Sequence, residues 1–175
     1  WIYHDALGGQ PNCPIIYHAG YLYTGFWNGE KLDGNFACIS VTDEDPSRED
    51  EEKLASWTYT QKGGFYWAGA YACDQFILVG TDDGEDGYDK GHSNVLSLDP
   101  KTGRVIDQVQ LKEVGDLRST ITREEGTNNY YFTTKGGYFY RLKVNEDGTM
   151  SRGSIMLPPD KIPFVLSQDD VSYYH

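Results

Sequence analysis

The sequence predicts an all-β chain built from three similar four-stranded units, and three observations support this. Tyr, Trp and Gly are abundant, with 14 Tyr, 4 Trp and 20 Gly in 175 residues. Aromatic side chains suit pleated, half-buried strands, and Gly closes the tight turns between them. Short apolar runs alternate with turn signals along most of the chain. These runs also recur with a period: Val41, Leu98 and Val144 end the third run of each unit and are spaced by 57 and 46 residues. A four-stranded unit repeated at about this length, with the surplus in loops, is the pattern of β-propeller blades.

The first unit, 12–62, opens with Cys13-Pro-Ile-Ile-Tyr-His, turns, and continues as Tyr21-Leu-Tyr-Thr-Gly. Its third and fourth runs are Asn35-Phe-Ala-Cys-Ile-Ser-Val and Leu54-Ala-Ser-Trp-Thr-Tyr-Thr. The second unit, 63–112, repeats that grammar as Trp67-Ala-Gly-Ala-Tyr-Ala-Cys, Gln75-Phe-Ile-Leu-Val-Gly-Thr, Asn94-Val-Leu-Ser-Leu and Arg104-Val-Ile-Asp-Gln-Val-Gln-Leu. The third, 113–160, places its runs at Leu117-Arg-Ser-Thr-Ile, Tyr130-Tyr-Phe-Thr-Thr, Tyr138-Phe-Tyr-Arg-Leu-Lys-Val and Gly153-Ser-Ile-Met-Leu. Segments 1–11 and 161–175 are expected to belong to neighbouring blades, so the chain reads as a piece of a longer propeller. An open array of three blades leaves two sheet faces uncovered, which implies self-association or docking of further blades.

Turn chemistry agrees. Asp99-Pro-Lys-Thr-Gly103 sets a proline φ and a glycine between two runs, and Asn145-Glu-Asp-Gly148 carries an Asp-Gly hairpin signal at the same place in the next unit. In the first unit a long acidic insertion, 43–53, replaces this turn, with room for a short exposed helix.

Leu96-Ser-Leu-Asp-Pro-Lys-Thr-Gly-Arg-Val-Ile-Asp resembles the Leu-Asp-x-x-Thr-Gly-x-x-x-Trp core of pyrroloquinoline-quinone-type repeats, with Asp107 where that family often has Trp. Ser56-Trp57 resembles the terminal Trp itself. The resemblance spans nearly the whole chain and implies a β-propeller fragment of about three blades. More narrowly, Tyr21-Leu-Tyr-Thr-Gly-Phe-Trp-Asn-Gly, Gly63-Gly-Phe-Tyr-Trp-Ala-Gly and Thr134-Lys-Gly-Gly-Tyr-Phe resemble propeller segments of large surface proteins of anaerobic Gram-positive bacteria. That likeness implies an extracellular or cell-surface location. Quinoprotein enzymes of the same repeat type hold their cofactor at the axis of a complete propeller beside calcium. Three blades cannot enclose such a site, and the adjacent cysteine pair of some members is missing here.

A formal charge of −12 sets the chain against nucleic-acid phosphates and anionic membranes, and no apolar run of about 18 residues is present to insert into a bilayer. Cys13, Cys38 and Cys73 have no metal-ligand spacing and read as small apolar residues; were any two to pair, Cys38 and Cys73 would be the choice. His4, His18, His92 and His175 share no ligand spacing and read as surface or strand-end residues.

Two sets of residues are candidates for function. Phe26, Trp27, Tyr66 and Trp67 lie beside glycines near strand ends, where rings can be displayed to grip a sugar or peptide; packing between blades is the alternative use. The loop Thr81-Asp-Asp-Gly-Glu-Asp-Gly-Tyr-Asp offers Asp82, Asp83 and Asp86 as calcium ligands, although its spacing departs from an EF-hand and a solvated loop is the favoured reading. Arg118 and Lys135 are candidate polar rims. The expected function is a non-catalytic extracellular binding or scaffold module with a protein or glycan partner. No cofactor is expected, and calcium is the one candidate ion. The alternatives are a fragment of a quinoprotein dehydrogenase and a purely structural spacer.

Overall fold

The computed structural model describes residues 1–85 and 87–150. In chain order the strands are β1 (Ile2–Tyr3), β2 (Ile16–His18), β3 (Tyr21–Gly25), β4 (Asp33–Ser40), β5 (Glu52–Lys53), β6 (Trp57–Lys62), β7 (Tyr71–Ala72), β8 (Ile77–Gly80), β9 (Ser93–Leu98), β10 (Val105–Leu111), β11 (Thr122–Arg123), β12 (Asn129–Thr133) and β13 (Phe139–Lys143). Antiparallel pairing joins β2-β3-β4-β6 and β7-β8-β9-β10 into two four-stranded sheets, and β11-β12-β13 into a third. The run expected to supply a fourth strand to the third sheet, Gly153-Ser-Ile-Met-Leu, lies outside the described residues. So do 161–175. Among the described residues there is no helix, and hence none long and apolar enough to cross a membrane.

The three sheets stack face to face, and alternation along the strands makes this possible. In the central sheet Ile77, Val79, Leu96 and Leu98 point into a cluster shared with Tyr23, Phe36, Trp57 and Phe65 of the first unit. Their neighbours Leu78, Val95 and Val109 point the other way, into a cluster with Tyr130, Phe132, Tyr140 and Leu142 of the third. Period-two side-chain direction thus gives the central sheet two apolar faces, one for each neighbour. Complete burial of each large aliphatic side chain contributes about 1.5–3 kcal/mol. The architecture is that of successive propeller blades.

Docking between blades repeats. The Trp57 indole is buried at the start of β6, and its Nε1 donates to Pro100 O at 2.8 Å in the turn of the next unit. Gly103 closes that turn at φ 70°, and a Cβ there would stand 2.4 Å from Trp57 Cε3. One blade further on, Asp107 Oδ2 accepts from Met150 N at 2.6 Å, so the residue standing where the repeat family often has Trp still anchors the following turn.

Three expectations are corrected, and the cysteines are unpaired, as expected. The insertion holds no helix: Asp45 caps a turn by accepting from Ser47 N, and β5 pairs in parallel with β1. So short and polar a segment has no apolar stripe with which to stabilise a helix. No disulfide joins Cys38 and Cys73; all three cysteines are free thiols. Burial pushes the thiol pKa of Cys13 up to about 12 and that of Cys38 up to about 11, which keeps both unreactive. The inner strands are shorter than the apolar runs suggest, since only Tyr71–Ala72 of the run from Trp67 pairs. Finally, the first sheet is not bare on its outer face. The N-terminal segment folds back over it: Asn35 Nδ2 donates to both Asp5 carboxylate oxygens at 3.2 and 3.1 Å, Gln10 bridges Trp27, and Asn35, Ala37 and Ile39 are all buried.

Candidate recognition site

The site lies at one end of all three sheets, where the loop after each second strand meets the loop before the next sheet. Phe26, Thr81 and Thr134 occupy the same place in successive units, each donating its backbone N–H back across its hairpin, to Asn35 O, Asn94 O and Tyr138 O. Phe65 N donates to Phe26 O and Leu117 N to Thr81 O, so each inner loop hooks onto the preceding blade. Contact there is tight: a Cβ on Gly25 would meet Phe65 Cβ at 2.4 Å, and one on Gly80 would meet Leu117 Cδ2 at 2.2 Å. Glycine is required because backbone and side chain must interlock. The next residues along the chain are therefore equivalent too. Trp27, Asp82 and Lys135 form one set, and Tyr66 and Arg118 form another.

These residues converge. Trp27 and Tyr66 lie with ring centroids 4.7 Å apart, and Tyr66 stacks on Trp67 at 4.5 Å with an interplanar angle of 20°. The Arg118 guanidinium sits over Tyr66 at 4.7 Å and Tyr88 at 5.6 Å, and the Lys135 ammonium lies over Trp67 at 5.5 Å and Tyr88 at 5.4 Å. Trp67 and Tyr88 remain about half exposed, at 48% and 50%. Trp67 is held in the left-handed region at φ 55°, a conformation that costs a bulky residue on the order of 1 kcal/mol. Phe26 lies apart from the stack, with its ring 6.3 Å from Tyr3.

Beneath the rings is a buried charge cluster. Arg118 Nη2 donates to Asp82 Oδ2 at 2.6 Å, Asp116 Oδ2 at 2.8 Å and Glu30 Oε1 at 3.0 Å, and its Nε donates to Asp82 Oδ1 at 3.1 Å. The side chains of Asp82 and Asp116 are fully buried, and that of Arg118 is 7% exposed. Burial, reinforced by Asp116, pushes Asp82 up to about 8 against the pull of Arg118. Burial likewise raises Asp116 to about 6. One guanidinium cannot neutralise three carboxylates in a dry environment, so the cluster retains protons that exposed aspartates would release. Burial works against the Arg118 charge, but its hydrogen bonds and attraction to Asp82, Asp116 and Glu30 prevail and hold it more firmly protonated than usual.

The loop that begins at Thr81 is buried only at its start: Thr81, Asp82 and Gly84 are buried, whereas Glu85 and residues 87–90 are exposed, as a solvated loop would be. Asp82 turns inward to Arg118. Asp83 is spent on its own loop, accepting from Glu85 N at 2.8 Å and His92 N at 2.7 Å. Asp86 lies outside the described residues. The carboxylates that approach one another are Glu30, Asp82 and Asp116, within 4.8 Å. A divalent cation would fit their oxygen chemistry, but Arg118 supplies the positive charge at that point. Beside the stack, the buried atoms Trp27 Nε1 and Glu30 Oε2 have no hydrogen-bond partner among the described residues.

Sequence reasoning picked out Trp27, Tyr66 and Trp67, which the fold assembles, but missed Glu30, Tyr88 and Asp116. Aligning the units residue by residue would have flagged Asp82 and Lys135 as standing in the place of Trp27.

No family model and no curated protein matches this sequence. Among solved structures, the chain is similar to BamB from Moraxella catarrhalis at 15% identity, with a TM-score of 0.49, over 78% of this chain. It spans 38% of the length of that protein. The fold itself is carried by the strand pairings and the two core clusters.

Proposed function

We propose that the chain is a non-catalytic recognition module of an extracellular or surface-displayed protein, one that contacts a glycan or a protein partner through the Trp27, Tyr66, Trp67 and Tyr88 rings. The observation carrying this reading is Trp67, an indole kept half exposed in a strained left-handed backbone, stacked on Tyr66 and sharing the Lys135 ammonium with the half-exposed Tyr88. Packing alone has no use for such strain at the surface, whereas a rigid displayed ring loses little entropy when it is covered. The short motifs shared with surface-protein propellers support the location. The buried carboxylates support a structural rather than a catalytic role, because their hydrogen-bonding capacity is directed to Arg118 instead of to an open cleft.

The test is a panel of immobilised glycans and cell-wall fragments probed with the wild-type chain and with Trp67→Ala and Tyr88→Ala. Both variants are expected to keep the wild-type thermal midpoint to within a few degrees and to lose at least about tenfold in affinity, as aromatic anchors do. Unchanged binding by both folded variants would contradict the reading.

A further inference from the structure

The three equivalent positions at the site are used differently. Trp27 packs at a tilt against Tyr66, and Asp82 is spent on Arg118. Lys135 is exposed, and its backbone is fixed by Lys135 N donating to Asp116 O and Gly136 N to Val114 O, both at 2.9 Å. Its ammonium lies 5.5 Å from the Trp67 ring centroid and 5.4 Å from that of Tyr88, and among the described residues no carboxylate lies within salt-bridge distance of it. Two half-exposed rings thus lie beside an exposed positive charge with no carboxylate partner among the described residues.

We propose that this site takes an acidic saccharide, with the C–H face of a pyranose ring against Trp67 and Tyr88 and its carboxylate on the Lys135 ammonium. The inference rests on the recognition reading above and adds the class and charge of the ligand. A cationic ligand is opposed because it would meet the Lys135 ammonium beside both rings. A long polyanion meets the chain's net charge of −12. A single carboxylate reads mainly the exposed Lys135 ammonium, because the nearby Asp82 and Asp116 carboxylates are buried and turned to Arg118 and more distant charges are screened beyond about 8 Å at physiological salt. None of Trp67, Tyr88 and Lys135 lies in a strand, so the site presents side chains rather than a sheet edge to which a peptide backbone could add.

The experiment uses the full chain, a galacturonic acid tetramer, the same tetramer as its methyl ester, and a short Asp-rich peptide, with binding followed through the Trp67 indole N–H and the Lys135 amide by NMR. The acid tetramer is expected to shift both signals. The methyl ester should bind about tenfold more weakly, the effect of losing one charge-assisted hydrogen bond. Lys135→Met should weaken the acid tetramer by a similar factor and leave the ester unaffected, while Lys135→Arg retains most of the affinity. Equal binding of acid and ester to the wild-type chain overturns the acidic-ligand inference and leaves recognition of a neutral glycan standing. Response to the peptide without response to the tetramer overturns it in favour of a protein partner. No shift with any of the three probes overturns it as well, and the recognition reading is then judged separately by the Trp67→Ala panel.

Discussion

Replacing Arg118 with Met keeps much of the side chain's length and removes the cation that faces Glu30, Asp82 and Asp116. Asp82 and Asp116 are fully buried, so neither can turn to water for compensation. Breaking a buried ion pair by deleting one partner costs about 3–5 kcal/mol, and the lost stacking on Tyr66 adds up to about 1 kcal/mol. Part of this is recovered because the abandoned carboxylates bind protons, and that recovery is easier in acid. Arg118→Met is therefore expected to lose about 4 kcal/mol at pH 8, a fall of about 2 M in the urea midpoint for a chain whose slope is about 2 kcal/mol per M. At pH 5 the loss should be roughly half as large, because protonated carboxyls need no guanidinium. Urea titration followed by tryptophan fluorescence at the two pH values measures both. A loss below about 1 kcal/mol at pH 8, or an equal loss at both pH values, would refute the reasoning that the cluster is dry and short of positive charge.

The same cluster sets a pH dependence in the wild-type chain. Asp116 and Asp82 are raised in the folded state, so the stability they contribute is complete below their unfolded value, near pH 4, and is lost as pH rises through about 6 and about 8. The urea midpoint should therefore fall between pH 5 and pH 9, and Asp82→Asn should flatten the upper part of that fall. Arg118→Ala should turn the three carboxylates into a cation site: millimolar calcium is expected to raise its thermal midpoint by several degrees and that of the wild-type chain by much less, as differential scanning fluorimetry would show. Gly103→Ala combines a left-handed φ with a Cβ 2.4 Å from the Trp57 ring. It should cost about 2–3 kcal/mol and shift tryptophan emission to the red; an unchanged midpoint would mean that Trp57 is not seated on that turn.

Much of the fold was legible because it is local. Alternation in Leu96-Ser-Leu and the Asp-Pro-Lys-Thr-Gly turn specify strand and hairpin without reference to the rest of the chain, and both are found where expected. The apolar run from Trp67 to Cys73 misled because its hydrophobic residues do not all serve pairing: Ala68 and Ala70 fill the core between blades while Trp67 is turned out by its backbone. The charge cluster was illegible for a different reason. Glu30 and Arg118 are 88 residues apart, and nothing local in either segment marks them as partners. They meet because successive blades bring equivalent loops to one end, which is information held in the repeat alignment rather than in any single motif. Asp82 illustrates the point, since an acidic, glycine-rich loop ordinarily faces water and only the packing of the third unit against the second buries it.

The face-to-face stacking of the sheets underlies the site and every inference drawn from it, and nuclear Overhauser contacts between sheets test it most directly. Contacts are expected from the Trp57 ring to the Gly103 α-protons, and from the Phe76 ring to the Gly148 α-protons, in the same folded sample. If both sets are absent while the pairings within each sheet persist, the sheets do not pack as successive blades, and the shared site between them does not exist.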